Sequence, residues 1–138
     1  MSTNRSEEEI VSASFRGEES LEIPVVTFRG KMDGPEFTVM SGMHAGEYSG
    51  ILAAQRLIDH LRTTSISGTV RVIPIISTRA FMARNMQLSP VDQREVHFYG
   101  PGNPDNSYTE FHIDTLYKLL VTSDYVIDMH SGEFTQAL

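Results

Sequence analysis

The chain has 138 residues, of which 40% are hydrophobic and 21% charged. These proportions are typical of an ordinary folded domain, not of a collagen-like, coiled-coil or disordered chain. Eleven Lys and Arg residues against 18 Asp and Glu residues give a formal net charge of −7, so we expect no nucleic-acid partner. The chain contains no cysteine, which excludes disulfides and thiolate metal sites and leaves His, Asp and Glu as metal ligands.

The first 20 residues are polar and charged, with few apolar positions. Burial there does not offset the ordering entropy, so we expect a flexible tail at residues 1–20 and a folded part at residues 21–138. The segment has no basic region followed by an apolar run, and no stretch approaches the roughly 18 apolar residues of a membrane helix. We therefore expect a cytoplasmic protein without membrane contact.

Two β-branched runs follow the tail. LEIPVVTFRG ends at Gly30, and FTVMSG begins at Phe37, after the turn-like segment KMDGPE. Each run predicts a strand, and the short connection predicts that the two strands form a hairpin.

From Gly46 the apolar spacing becomes helical. Ile51, Ala54, Ile58 and Leu61 recur on one face and predict an amphipathic helix. After SISGT, the run VRVIPII at residues 70–76 is typical of a strand that is buried on both faces.

Residues 77–107 are rich in Pro, Gly, Asn and Asp, and a loop of this length usually builds a site. Ser107, with Glu110 three residues later, predicts a capping box at the start of a second helix. His112 on this helix and His60 on the first helix are both expected at the surface. A last strand, YVIDM, ends at His130. Strands that alternate with helices predict an α/β fold, a three-layer sandwich with a mostly parallel or mixed sheet.

A metal site is indicated at two strand ends. His44 and Glu47 have H-x-x-E spacing at a strand-to-helix junction, and a catalytic zinc typically takes one further histidine. His130 is the best placed, because the ends of neighbouring strands meet at one edge of an α/β sheet. The H-x-x-E spacing alone is common, and the helix dipole already explains an acidic first turn. An α/β domain with purely structural histidines is therefore the alternative.

The same residues carry a resemblance to a known family. GMHAGEYSG resembles the G-x-H-G-x-E signature of the succinylglutamate desuccinylase/aspartoacylase family in the zinc carboxypeptidase-like superfamily, and DMH resembles its D-L-H segment. RVIPIISTRAF and YGPGNPDNS are similar to the segments between them, so that the resemblance covers about residues 22–133. It implies the zinc carboxypeptidase-like fold, zinc as cofactor with His44, Glu47 and His130 as ligands, and a small-molecule or peptide-like acylated substrate.

The sequence departs from the family pattern at several positions. Ala45 stands where the family usually has Gly, and Ser77-Thr78 replaces an Asn-Pro pair. Counting back from Pro101-Gly102 puts residues 95–98, EVHF, at the D-L-N-R motif, whose Asn-Arg pair helps to hold the substrate carboxylate. The loss of that Arg argues against an N-acyl amino acid substrate of the usual form.

The resemblance also implies supporting roles. Glu95 keeps a carboxylate where the family has an Asp that orients a zinc-ligating His, although an exposed loop Glu is the alternative. Arg84 is the candidate for the Arg that polarises the substrate carbonyl, in competition with Arg79 and Arg94. Arg94 and His97 are candidate substrate contacts, and the alternatives are a solvated arginine and an ordinary loop histidine.

Asp128 lies two residues before His130, so that both side chains are expected on one face of the strand. A supporting contact suits Asp128 better than direct ligation.

The family's general base, a Glu, comes from well downstream of the third ligand, whereas this chain ends eight residues after His130 and keeps only Glu133 there. We therefore expect the amino-terminal part of a zinc-dependent amide hydrolase, with almost no turnover by itself. Its incomplete sheet is expected to self-associate through an exposed edge. The alternative is a degenerate, non-catalytic binding module, which the missing base and Asn-Arg pair favour.

Overall fold

The structure, a computed structural model, describes residues 4–97 and 100–132. Glu133 and Phe98 lie outside the described residues. The elements in chain order are β1 (Arg5–Phe15), β2 (Glu19–Arg29), β3 (Met32–Ser41), α1 (Tyr48–Leu61), β4 (Ser67–Ile73), α2 (Thr78–Met82), α3 (Tyr108–Leu120) and β5 (Tyr125–Met129). None of the described helices is long and apolar enough to cross a membrane.

The five strands form one mixed sheet in the order β1-β2-β4-β3-β5. β1 and β2 are antiparallel, as are β2 and β4, whereas β3 pairs in parallel with both β4 and β5. The parallel pair β3/β4 requires a crossover, which α1 supplies. The expected α/β fold with a mixed sheet is confirmed.

The helices cover opposite faces of this sheet. Alternate side chains of the strands enter different clusters, since Val72 packs with Ala54 and Ile58 of α1, while its neighbour Ile73 packs with Leu116 of α3. This separation follows from the two-residue period of a strand. The molecule therefore has three layers, helix, sheet and helix.

The predicted hairpin of β2 and β3 is wrong, because β4 lies between these strands. A Cβ atom on Gly30 would lie 2.2 Å from the carbonyl oxygen of Ile66, and Gly30 N–H donates to the Gly68 carbonyl at 2.9 Å. The missing side chain thus lets the start of β4 pass close to the connection between β2 and β3. Local sequence does not record this insertion.

The predicted flexible tail is also wrong for the residues that form β1. All 11 residues of β1 pair with β2, from Arg5 opposite Arg29 to Phe15 opposite Glu19. Most of its side chains are exposed, and Val11 and Phe15 pack against the core, so the backbone ladder with β2 and a few apolar contacts hold the strand. Arg16 and Gly17 both have positive φ, of 52° and 76°, which suits the tight turn of a β-hairpin.

The two long helices begin and pack largely as the pattern predicts. Ala54, Ile58 and Leu61 form the buried face of α1. Ser107 caps α3 by accepting a hydrogen bond from Glu110 N–H, as expected. The Glu110 carboxylate, however, accepts from Asn103 N–H at 2.9 Å, so the predicted box is replaced by a bond that ties down the preceding loop.

Candidate metal centre

The carboxyl ends of β3 and β5 carry the site. The two strands are adjacent and parallel, with Ser41 opposite Met129, so the segments that follow them leave the sheet at the same edge. Gly42 follows Ser41 with φ of 65°, a conformation that glycine adopts without strain. This turn brings His44 and Glu47 over the edge at which β5 delivers His130.

Three side chains converge there as an inner cluster, formed by His44, Glu47 and His130. Nδ1 of His44 lies 3.1 Å from Oε1 of Glu47, and Nδ1 of His130 lies 2.9 Å from its Oε2. One donor atom from each residue lies within 4.8 Å of the other two. His44 and Glu47 are buried, whereas the His130 side chain is 40% exposed. The arrangement is open on the His130 side.

One carboxylate oxygen of this cluster lacks a hydrogen bond. Oε2 of Glu47 is buried, and it forms no hydrogen bond within the described part of the chain. Its 2.9 Å contact with His130 therefore brings two polar atoms together without the alignment of a hydrogen bond. A buried carboxylate oxygen left in this way costs about 1–3 kcal/mol or more. A cation shared by the three donors would remove that cost, so these residues fit a metal ion with N and O ligands.

Asp128 supports His130 from the opposite side of the ring. Its Oδ2 lies in a hydrogen bond with Nε2 of His130 at 2.9 Å, as expected from their shared face of β5. Partial burial lowers the pKa of His130, but the bond to Asp128 and the charges of Asp128 and Glu47 outweigh it, and the pKa is raised. The same negative charges favour a bound cation.

Glu95 and His97 approach the other ring. Oε1 of Glu95 lies 3.3 Å from Nε2 of His44 and 2.9 Å from Nε2 of His97. An antiparallel bridge between Leu88 and Glu95 holds the backbone of this loop, together with the Ser89 N–H bond to the Arg94 carbonyl at 2.8 Å. The structure thus brings Glu95, named from the resemblance, directly against His44.

Three arginines, Arg79, Arg84 and Arg94, were candidates for contact with the substrate. Arg84 follows α2 with φ of 54° and is exposed, as is Arg94. Among residues 4–97 and 100–132, neither forms an ion pair with the carboxylates of the inner cluster. Arg79 pairs with Glu19 and lies over the Tyr108 ring. Among the described residues, ion pairs therefore do not tie the three arginines of the sequence analysis to the inner cluster.

The sequence analysis placed His112 at the surface, and this is wrong. His112 is only 3% exposed, and its burial lowers its pKa to about 4. A signal was present, because residues 112, 116 and 120 share one face of α3, and Leu116 and Leu120 are both buried. His60 is exposed, as expected.

Comparison with solved structures defines the class of fold. A succinylglutamate desuccinylase/aspartoacylase from Rhodobacter sphaeroides matches 93% of this chain with a TM-score of 0.78 and 24% identity. The chain therefore has the fold of this family, and the resemblance that the motifs indicated is confirmed. It is also similar in sequence to the N-alpha-acetyl-L-2,4-diaminobutyric acid deacetylase of Halomonas elongata, with 38% identity over 111 residues, which are 80% of this chain.

A third relative is the ectoine utilization protein of Ruegeria pomeroyi, in a product-bound structure. It matches 92% of this chain with a TM-score of 0.75 and 27% identity. No family model matches the chain. The chain spans 32% of the Halomonas protein and 40% of each of the two structures, so the similarity concerns only part of those proteins.

Proposed function

We propose that this chain carries the metal-binding part of a zinc-dependent hydrolase that cleaves the amide bond of an N-acyl amino acid or a peptide-like substrate. The observation that carries the proposal is the convergence of Nδ1 of His44 and Nδ1 of His130 on the two oxygens of buried Glu47. Two imidazoles and one carboxylate are a usual ligand set of catalytic zinc. The named deacetylase among the relatives supports the reaction class.

In this proposal the side chains of the chain hold the zinc ion and orient its ligands. Zinc bound by His44, Glu47 and His130 supplies a Lewis acid that polarises a carbonyl and makes water nucleophilic near neutral pH. Asp128 accepts the Nε2 proton of His130, which leaves the Nδ1 lone pair directed at the site. Glu95, whose Oε1 lies 3.3 Å from Nε2 of His44, is proposed to orient that ring while only the inner cluster holds a metal ion.

Substrate contacts are proposed for exposed groups around the site. We assign Arg84 to stabilise the negative charge that develops on the carbonyl oxygen, and Arg94 and His97 to bind the substrate. His97 is the nearest of these, with its ring edge-to-face against His44 at 5.0 Å between centroids.

The test uses the full 138-residue chain. We expect one zinc to bind at the inner cluster in a competition assay with a chromophoric chelator, and Glu47→Gln and His130→Ala to lose it. His60→Ala, on an exposed histidine of α1, serves as the control and should bind normally. A zinc stoichiometry that neither Glu47→Gln nor His130→Ala lowers would refute the proposal.

Activity is tested on N-acetyl and N-succinyl amino acids and short N-acyl peptides. Loss of a general base typically reduces rates by 10²–10⁴-fold, so we expect almost no turnover from the zinc-loaded chain. Ordinary enzyme rates that Glu133→Gln abolishes would instead identify Glu133 as the base.

A non-catalytic binding module is the second candidate. It is favoured by Phe98, which stands at the position of the substrate-binding arginine in the family motif, and by exposed Arg84 and Arg94, which form no ion pair with the inner cluster among the described residues. This candidate predicts that zinc binds without hydrolysis even when the remaining length of the relatives is supplied by fusion. Hydrolysis by such a fusion would exclude it.

We further propose that the outer edge of β5 pairs with a second copy of the chain. β5 ends the sheet, and Tyr125, Val126 and Ile127 are 57%, 43% and 48% exposed. The opposite edge is different, because β1 carries a row of glutamates at residues 7–9 that discourages pairing.

A further inference from the structure

A second group of metal-type donors lies on the far side of the His44 ring. One donor atom from each of His44, Glu95 and His97 lies within 4.8 Å of the other two. We call these three residues the outer cluster. The single oxygen of Glu95 stands between the two rings, 3.3 Å from His44 and 2.9 Å from His97. The outer cluster therefore repeats the ligand set of the inner cluster, with two imidazoles and one carboxylate.

The nitrogen that joins the two clusters is not satisfied. Nε2 of His44 is buried and has no hydrogen-bond partner among the described residues, although Glu95 lies 3.3 Å away. A carboxylate that merely oriented His44 would be expected to accept its N–H in good alignment. Instead the His44–Glu95 contact resembles the Glu47–His130 contact. In both, a ring nitrogen and a carboxylate oxygen lie close together without a proton aligned between them.

We propose that His44, Glu95 and His97 form a second site for a divalent cation of the Zn²⁺ or Cu²⁺ type. The proposal rests on the proposed function for the inner cluster, so that His44 would bind one cation through each ring nitrogen. Imidazole and carboxylate ligands suit both of these ions, and copper binds such ligands more tightly than zinc.

The proton and charge balance is set by the residues present. A neutral imidazole has one lone pair, so binding at both nitrogens releases the N–H proton of His44 to solvent. The resulting imidazolate, with Glu47, Glu95 and Asp128, supplies four negative charges against the four positive charges of two dications. The outer cluster is also accessible, since the Glu95 and His97 side chains are 40% and 47% exposed, against 11% for His44.

Metal stoichiometry tests the proposal. Bound metal is first removed from the untagged chain with a chelator. The chain is then titrated with Zn²⁺, and native mass spectrometry counts the bound ions. We expect two equivalents for the natural chain and for His60→Ala, and one equivalent for His97→Ala, Glu95→Gln and His130→Ala. Calorimetric titration in two buffers of different ionisation enthalpy should show about one proton released with the second equivalent.

Copper gives an independent signature. Two Cu²⁺ ions joined by one imidazolate are magnetically coupled, so their paramagnetic resonance signal should be reduced in the natural chain and regain that of an isolated Cu²⁺ in His97→Ala. Far-ultraviolet circular dichroism checks that each variant is folded, and Glu95→Gln, which preserves shape, replaces His97→Ala if that variant is not.

Each result separates the two sites. A single equivalent that His130→Ala abolishes and His97→Ala leaves intact overturns the outer site and leaves the proposed function standing. A single equivalent that His97→Ala abolishes and His130→Ala leaves intact supports the outer site and refutes the proposed function. Two equivalents that neither His97→Ala nor Glu95→Gln changes overturn the outer site, because other residues must then hold the second ion.

Discussion

The buried histidine of α3 should make the protein sensitive to mild acid. His112 is 3% exposed, and its Nε2 is buried without a hydrogen bond to any described residue. Burial is the main cause that lowers its pKa from 6.5 to about 4, against a hydrogen bond to the Ile76 backbone and the charge of Asp92, which both raise it. The folded protein thus keeps this imidazole neutral at a pH where the unfolded chain protonates it.

The sign and size of the effect follow from that difference. As the pH falls below 6.5 the unfolded state takes up a proton, while the folded state does so only near pH 4, so the free energy of unfolding falls throughout this range. Each pH unit is worth about 1.4 kcal/mol, and the full range therefore removes about 3 kcal/mol. That is a large part of the roughly 5–15 kcal/mol that stabilises a typical domain.

Urea unfolding at several pH values between 7.5 and 4, with a chelator present to exclude metal, measures this loss. His112→Gln should be less stable than the natural chain at pH 7 but should lose about 3 kcal/mol less on acidification. His60→Gln, on the exposed histidine of α1, is the matched control and should follow the natural chain. The reasoning is refuted if the natural chain and His112→Gln lose equal stability over the range.

Three further changes test the site and the sheet. Zinc at 100 times its dissociation constant from the inner cluster should stabilise the natural chain by about 2.7 kcal/mol in thermal unfolding, and Glu47→Gln should lose this part of the gain, so an undiminished gain contradicts the ligand assignment. Gly50→Ala places a Cβ atom 2.9 Å from the Met129 carbonyl oxygen. This crowding should lower the free energy of unfolding by about 1–3 kcal/mol and weaken zinc binding at the adjacent His130. Unchanged urea unfolding would show that α1 shifts freely. Val126→Lys should abolish self-association in sedimentation, and a natural chain that is monomeric at high concentration would contradict pairing through β5.

Local pattern predicted the elements whose identity depends on side-chain periodicity. α1 and α3 follow the spacing of their buried residues, and the Ser107 cap depends on residues only three positions apart. The strand β4 was recognisable because it is apolar on both faces, as a central strand must be. In each case the interactions that decide the structure lie within the segment itself.

β1 and the strand order could not be read in this way. β1 packs against the core through only a few side chains, such as Val11 and Phe15, and its ladder with β2 consists of backbone hydrogen bonds that any sequence can form. The position of β4 between β2 and β3 depends on a close backbone approach at Gly30. A glycine next to a charged turn reads equally well as the tip of a hairpin, so the sequence favoured the wrong pairing.

The residues of the site also differ in how well the sequence predicts their positions. His44 and His130 were brought together in the sequence analysis by one rule, that parallel neighbouring strands end at the same edge, and a sheet ladder enforces this rule over the whole of β3 and β5. Glu95 was located only by counting along a resembled motif, because the Leu88 bridge and the Ser89–Arg94 bond that present it belong to an irregular loop. The donors on strand ends are therefore fixed by backbone geometry, whereas those of the loop are fixed by a few contacts. Substitutions in the loop should accordingly change the outer cluster while they leave the inner cluster in place, and this independence makes the two proposed metal sites separable by experiment.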